Sequence, residues 1–195
     1  YTSRRTGSVV RAGRTGGAWH GRGRWPGPGA RVINPRMNEP SDDDEDPTIY
    51  EVLTDEHEDV AQLLTQLAEA EDAGEREELF AEVRFQLERH AQAEEVVFYE
   101  LLRRDDETRA LAERAQQEHA QVRKTLAELD AIEADDDRWG ELVGELTRQV
   151  TQHVEVEERD IFAAVRGRID DDQARTIAET FEATEDRVAD EIKAA

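Results

Sequence analysis

A chain of 195 residues with a formal net charge of −23 and no cysteine has room for one domain with a sizeable core. It cannot build a disulfide, a thiolate zinc site, an iron–sulfur cluster or a cysteine nucleophile, so any transition metal must be held by imidazole and carboxylate. No run of about 20 apolar residues is present to span a membrane, and a soluble, cytoplasmic protein is expected.

Residues 1–36 carry eight arginines and no Asp, Glu or Lys, with no apolar period, and are expected to be disordered. A nucleic-acid-binding arm and a twin-arginine export signal around Arg4-Arg5 compete there with a segment foreign to the working protein. The export reading fails because no apolar stretch follows the arginines. A start site at Met37, where the composition flips, is preferred. All 48 acids fall after residue 36 against 17 of the 25 bases, a net −31 that repels nucleic acid and anionic membranes. Lys124 and Lys193 are the only lysines, which fits either a salt-adapted surface or a GC-rich genome.

An acidic leader, Ser41 to Asp46, ends at Asp46-Pro47-Thr48, a good helix start. A first helix is expected to about Glu71, with Leu53, His57, Val60, Leu64 and Leu67 on one stripe, and Asp72-Ala73-Gly74 breaking it. A second, about Glu75 to Arg104, aligns Phe80, Val83, Leu87, His90, Glu94, Val97 and Leu101. A third, about Glu107 to Glu133, aligns Ala112, Ala115, His119, Val122, Leu126 and Leu129. After Asp135-Asp136-Asp137, a fourth from about Arg138 to Arg168 aligns Leu142, Leu146, Val150, His153, Glu157, Ile161 and Val165. A weaker fifth segment runs from Asp171 to Ala194.

No stretch alternates with period two, so the fold class is all-α: an up-down-up-down four-helix bundle over residues 47–168, a C-terminal extra helix in 169–195, and a leader over 1–46. The halves repeat, each reading helix with one His, turn, helix with His-x-x-x-Glu-Glu. A step of four residues rises about 6 Å on one face, so His90 with Glu94, and His153 with Glu157, can each address one centre. One histidine on an apolar face is ordinarily a hydrogen-bonded core residue. Here His57, His90, His119 and His153 stand one per helix, leaving only His20 outside. Glu94 and Glu157 add ionised carboxylates that cost several kcal/mol in a dry interior without a partner. A cation supplies one; a metal-free polar core and a zinc site are the competing readings.

These seams resemble the hemerythrin-like, or HHE cation-binding, family, through Asp55-Glu56-His57, His90-x-x-x-Glu94-Glu95 with Val97-Phe98, Glu118-His119, and His153-x-x-x-Glu157-Glu158 with Ile161-Phe162. The resemblance covers about residues 47 to 168. It implies a bundle holding two non-haem iron ions bridged by two carboxylates and a solvent-derived oxygen. His57, His90, His119 and His153 then look like end-on ligands, and Glu94 and Glu157 like the bridges. Oxygen carriers of the family have a further histidine where this chain has Arg123. Of about twelve coordination positions on two six-coordinate irons, roughly two then stay open. The implied partner is a small diatomic ligand, oxygen or nitric oxide, or peroxide; no protein partner follows from the sequence.

Iron storage or buffering and a redox-sensing module without turnover are the alternatives. Against storage, ferritin-like sites use Glu-x-x-His, and the residues three before His90, His119 and His153 are Leu87, Gln116 and Val150. Arg123 is expected to snorkel or pair at the surface. Phe98 and Phe162 either wall the pocket or pack the core. Glu95 and Glu158, about 100° off the seam, are expected to be mostly solvated or in surface pairs, with either able to swing in as a spare ligand.

Overall fold

The computed structural model describes residues 46–194; the expectations for residues 1–36, for Met37 and for most of the acidic leader lie outside them. The described chain is helical throughout. Helix α1 is Ile49–Glu69. Helix α2 runs Ala73–Ala93, passes through a π-helical turn at Glu94–Phe98 and resumes as Tyr99–Arg103. Helix α3 is Arg109–Asp130. Helix α4 runs Trp139–Val156, passes through a second π turn at Glu157–Ile161 and resumes as Phe162–Arg166, and α5 is Asp171–Ala194.

Local chemistry sets the ends. The Glu51 carboxylate accepts the Thr48 backbone N–H at 2.8 Å, which satisfies a donor left over at the start of α1. Asp72, expected to break the chain, instead caps α2, accepting from the N–H groups of Gly74 at 2.9 Å and Glu75 at 3.2 Å. Helix α2 therefore begins at Ala73, two residues before the sequence placed it.

α1 packs on α2 and α4, and α3 on α4 and on the last turn of α2, closing the four-helix ring; α5 lies across α2 and α1. The core is split in two. One apolar cluster gathers Ile49, Leu53, Phe98, Tyr99, Leu102, Ile161, Phe162 and Phe181, and the other Leu64, Leu67, Val83, Leu126, Leu129, Trp139 and Leu146. Between them lies a layer of buried polar residues from all four bundle helices, each within reach of the next. The C-terminal segment, weak in the sequence, is a 24-residue helix whose buried face holds Ala174, Ala178, Phe181, Thr184, Glu185 and Val188.

Among the described residues, no helix is long and apolar enough to cross a membrane.

Candidate metal centre

All six residues singled out from the sequence meet in the polar layer. His57, His90, His119 and His153 are 4–7 % exposed, and Glu94 and Glu157 are completely buried. The ligand-capable atoms of His57, His90, Glu94 and Glu157 lie within 4.8 Å of one another, and so do those of Glu94, His119 and His153. Glu94 belongs to both groups because it turns one oxygen to each side: Oε1 is 3.3 Å from His90 Nε2 and Oε2 is 3.3 Å from His119 Nε2. Glu157 mirrors it with a single oxygen, Oε2, at 3.5 Å from His57 Nε2 and 3.4 Å from His153 Nε2. Across the second pair, His119 Nε2 and His153 Nε2 approach to 3.1 Å.

The π turns start at these two glutamates. Each is defined by an i→i+5 bond, Tyr99 N–H to Glu94 O and Phe162 N–H to Glu157 O. One extra residue per turn rotates everything downstream by about 100°. Phe98, Tyr99 and Leu102 therefore enter the core, while the expected seam residues Val97 and Leu101 are only partly buried.

A ring of four carboxylates surrounds the imidazoles. Glu56 on α1 accepts from His90 on α2 at 2.7 Å, and Glu95 on α2 from His119 on α3 at 3.0 Å. Glu118 on α3 accepts from His153 on α4 at 3.2 Å, and Glu158 on α4 from His57 on α1 at 2.9 Å. In every case the imidazole atom is Nδ1. Each helix thus orients its neighbour's histidine, and the four contacts close a circle round the bundle. An acceptor at Nδ1 places one proton there and turns Nε2 inward, the orientation metal-binding histidines adopt. Glu95 and Glu158 are accordingly 21 % and 37 % exposed rather than free in solvent, and Arg123 pairs with Glu95 at 2.9 Å.

The inward atoms fit a cation. His57 Nε2, His90 Nε2, Glu94 Oε1 and both carboxylate oxygens of Glu157 are buried without a hydrogen-bond partner. Unsatisfied buried polar atoms cost about 1–3 kcal/mol each, more when charged. Five such atoms converging on one layer form a donor set that could hold a divalent or trivalent ion, and imidazole with carboxylate suits iron or zinc.

The electrostatics follow. Burial pushes the Glu94 carboxyl up, but His90 and His119 outweigh it and hold it well below the usual range. Burial pushes His153 down, yet its bonds to Glu118 and Glu157 raise it to about 10. Without a cation His90 and His153 hold a second proton, at Nε2, that a cation must displace.

Tyr99 was missed by the sequence reading. Its hydroxyl donates to Glu94 Oε2 at 3.2 Å and lies 3.5 Å from His119 Nε2, with the phenol ring stacked on His119 at 5.5 Å. Burial, with the charges of Glu157 and Glu94, holds its proton well above the usual phenol range. The tell-tale was a tyrosine five places beyond the glutamate, a spacing that only a π turn brings round.

On the side of the imidazoles away from the glutamates is a cavity of about 30 Å³, walled by Val60, Leu87, Val122, Leu126 and Val150. That is room for one or two water-sized groups. Its other wall is the four histidines.

The model of the hemerythrin HHE cation binding domain matches residues 48–165. A DNA nickase from Nostoc sp. is 28 % identical over 149 residues, 75 % of this chain but 41 % of that protein, so the chain spans about two fifths of this relative. The crystal structure of a hemerythrin HHE cation binding domain-containing protein from Mycobacterium kansasii superposes with a TM-score of 0.66 at 24 % identity, covering 74 % of this chain and 89 % of that one. The second likeness is one of fold.

Proposed function

The chain belongs to the hemerythrin HHE cation-binding family, and from that premise we propose that it holds two non-haem iron ions and offers them to a small molecule the size of oxygen, nitric oxide or peroxide. The observation that carries this reading is the set of five unpartnered inward atoms inside a closed ring of imidazole-orienting carboxylates.

In this reading His57 and His90 hold one ion and His119 and His153 the other, with Glu94 and Glu157 shared between them. A bound iron pair supplies one-electron exchange and open coordination positions. The protein does the rest. Glu56, Glu95, Glu118 and Glu158 keep each imidazole in the Nδ1–H form, so that Nε2 is available without rearrangement. Tyr99 keeps its proton beside Glu94 Oε2, a hydrogen-bond donor poised over the shared carboxylate.

The apolar walls of the neighbouring cavity keep bulk water from the imidazole face and favour a small uncharged guest over a hydrated anion. Arg123, where oxygen carriers of the family place another histidine, is held by Glu95 and supplies no ligand. The nicking of DNA named for the Nostoc relative is not carried over, since the chain spans 41 % of that protein and residues 37–195 bear a net −31.

Stopped-flow absorption of the iron-loaded, reduced protein mixed in turn with oxygen, nitric oxide and hydrogen peroxide tests this. A saturable spectral change with at least one of the three is expected. Identical spectra before and after all three would contradict the proposal.

A further inference from the structure

Three of the four carboxylate–imidazole contacts are made by bundle helices alone, with surface arginines or solvent behind them. Arg114 backs Glu118 at 2.9 Å and Arg123 backs Glu95 at 2.9 Å, while Glu158 faces solvent with 37 % of its side chain. The fourth is different. Behind Glu56 and His90 lies α5, which places two buried residues against them.

Phe181, fully buried, sets its ring edge-on to the His90 imidazole, with centroids 5.9 Å apart and planes at 79°. One turn further on, Glu185 is 4 % exposed, and its carboxyl, Glu56 and His90 lie with ligand-capable atoms within 4.8 Å of one another. Arg89 ties the two acids together, with Nη2 3.1 Å from Glu56 Oε1 and Nε 3.0 Å from Glu185 Oε1.

A buried carboxyl is an expensive way to dock a helix. Helix packing alone would be served as well by an apolar residue, since Ala178, Phe181 and Val188 already anchor α5. What Glu185 adds is a fixed second partner for Arg89. With Arg89 held from both sides, the Glu56 carboxylate keeps Oε1 on the guanidinium and Oε2 on His90 Nδ1, so the imidazole has one orientation.

We propose that Glu185 is a positioning residue for His90, acting through Arg89 and Glu56, and that the C-terminal helix thereby tightens the hold on the cation at the His57–His90 side over the one at the His119–His153 side. The inference rests on the iron-pair reading. It makes the two ions inequivalent: the ion on the α5 side is the one whose retention depends on a docked C-terminal helix.

The test uses the full-length chain loaded with ferrous iron, in which release to a ferrous chelator is followed by absorbance and helix content by circular dichroism. Glu185→Leu keeps volume and removes the hydrogen-bonding carboxyl; Glu185→Ala is a second variant that adds no bulk. In either, one of the two ions is expected to leave about tenfold faster than in the parent chain, with the other unchanged, matching the cost of losing a group that orients a metal-binding histidine. Glu185→Gln, which keeps a polar oxygen beside Arg89, restores slow release, and Glu182→Ala on the exposed face changes nothing.

The proposal is overturned if both ions leave Glu185→Leu and Glu185→Ala at the parent rate. It is equally overturned if both are accelerated together with a loss of helix content, or if Glu185→Gln behaves as Glu185→Leu does. A parent chain that takes up no iron would sink the iron-pair reading itself, a different result from two ions held equally in parent and variant.

Discussion

Five places beyond the buried glutamate, the first half of the bundle has Tyr99 and the second half has Phe162. Everything up to that point is matched. Both halves carry a Glu-His pair on the first helix, His-x-x-x-Glu-Glu on the second and a π turn that begins at the inward glutamate. Beyond it they diverge. Tyr99 brings a hydroxyl to Glu94 Oε2, whereas Phe162 packs on Tyr50 at 5.3 Å and Phe98 at 6.0 Å and leaves both oxygens of Glu157 without a hydrogen bond. The first half is also the one that α5 covers. Symmetric elements thus set the donor atoms, and the departures from symmetry set what each donor feels.

The largest expected effect falls on what the halves share. Glu94→Gln or Glu157→Gln removes a carboxylate that faces histidines of both halves, so either substitution should reduce iron content from two ions per chain to fewer than one, with helix content near that of the parent. Metal analysis beside circular dichroism reads this. If one variant loads fully and the other does not, the halves are less alike than their geometry.

Next come the orienting acids. Glu95→Ala and Glu118→Ala should each weaken iron binding by about tenfold, the usual scale for losing the group that fixes a metal-binding histidine. A chelator competition measures it. Unchanged affinity in both would make the ring of carboxylates a packing feature only.

The tyrosine separates the halves directly. Tyr99→Phe deletes a buried hydrogen bond to a carboxylate and should lower the stability of the metal-free chain by about 2 kcal/mol in urea denaturation. Adding Phe162→Tyr to that variant should recover none of it, because the ring at that place is already packed against Tyr50 and Phe98. Recovery would make the two positions interchangeable.

The smallest effect is a slope. Glu185 is raised from its ordinary 4.5 to about 9 by burial and by the Glu56 charge. Between those values the unfolded chain releases the proton before the folded one does. Stability of the metal-free chain should therefore fall as pH rises through that window, being complete below about 4.5 and lost by about 9. Glu185→Gln should flatten this stretch of a stability-against-pH curve; an unchanged slope would show the carboxyl to be ionised throughout.

Helix number, the histidine level and the inward pair of glutamates were legible in the sequence because each recurs at a helical period. The π turns were not. The run Val96-Val97-Phe98-Tyr99-Glu100-Leu101-Leu102 offers an apolar residue at nearly every phase, so side-chain periodicity could not tell a turn of 3.6 residues from one with an extra residue. Val96, 57 % exposed, is the apolar residue left over. Glu95 and Glu158 read as solvated because a single helix's period says nothing of a neighbour's imidazole reaching across to meet them. The C-terminal helix looked weak because its buried face relies on alanines and on one glutamate, and a lone acid reads as exposed until Arg89 and Glu56 are seen around it.

In the proposed function two cations occupy the layer of converging imidazoles and glutamates. Elemental analysis of the chain purified in air, with its near-ultraviolet absorption, tests this most directly. About two irons per chain, with absorption that disappears on chelation and returns with ferrous iron, is the predicted result; a colourless protein carrying one zinc, or no metal at all, would contradict it.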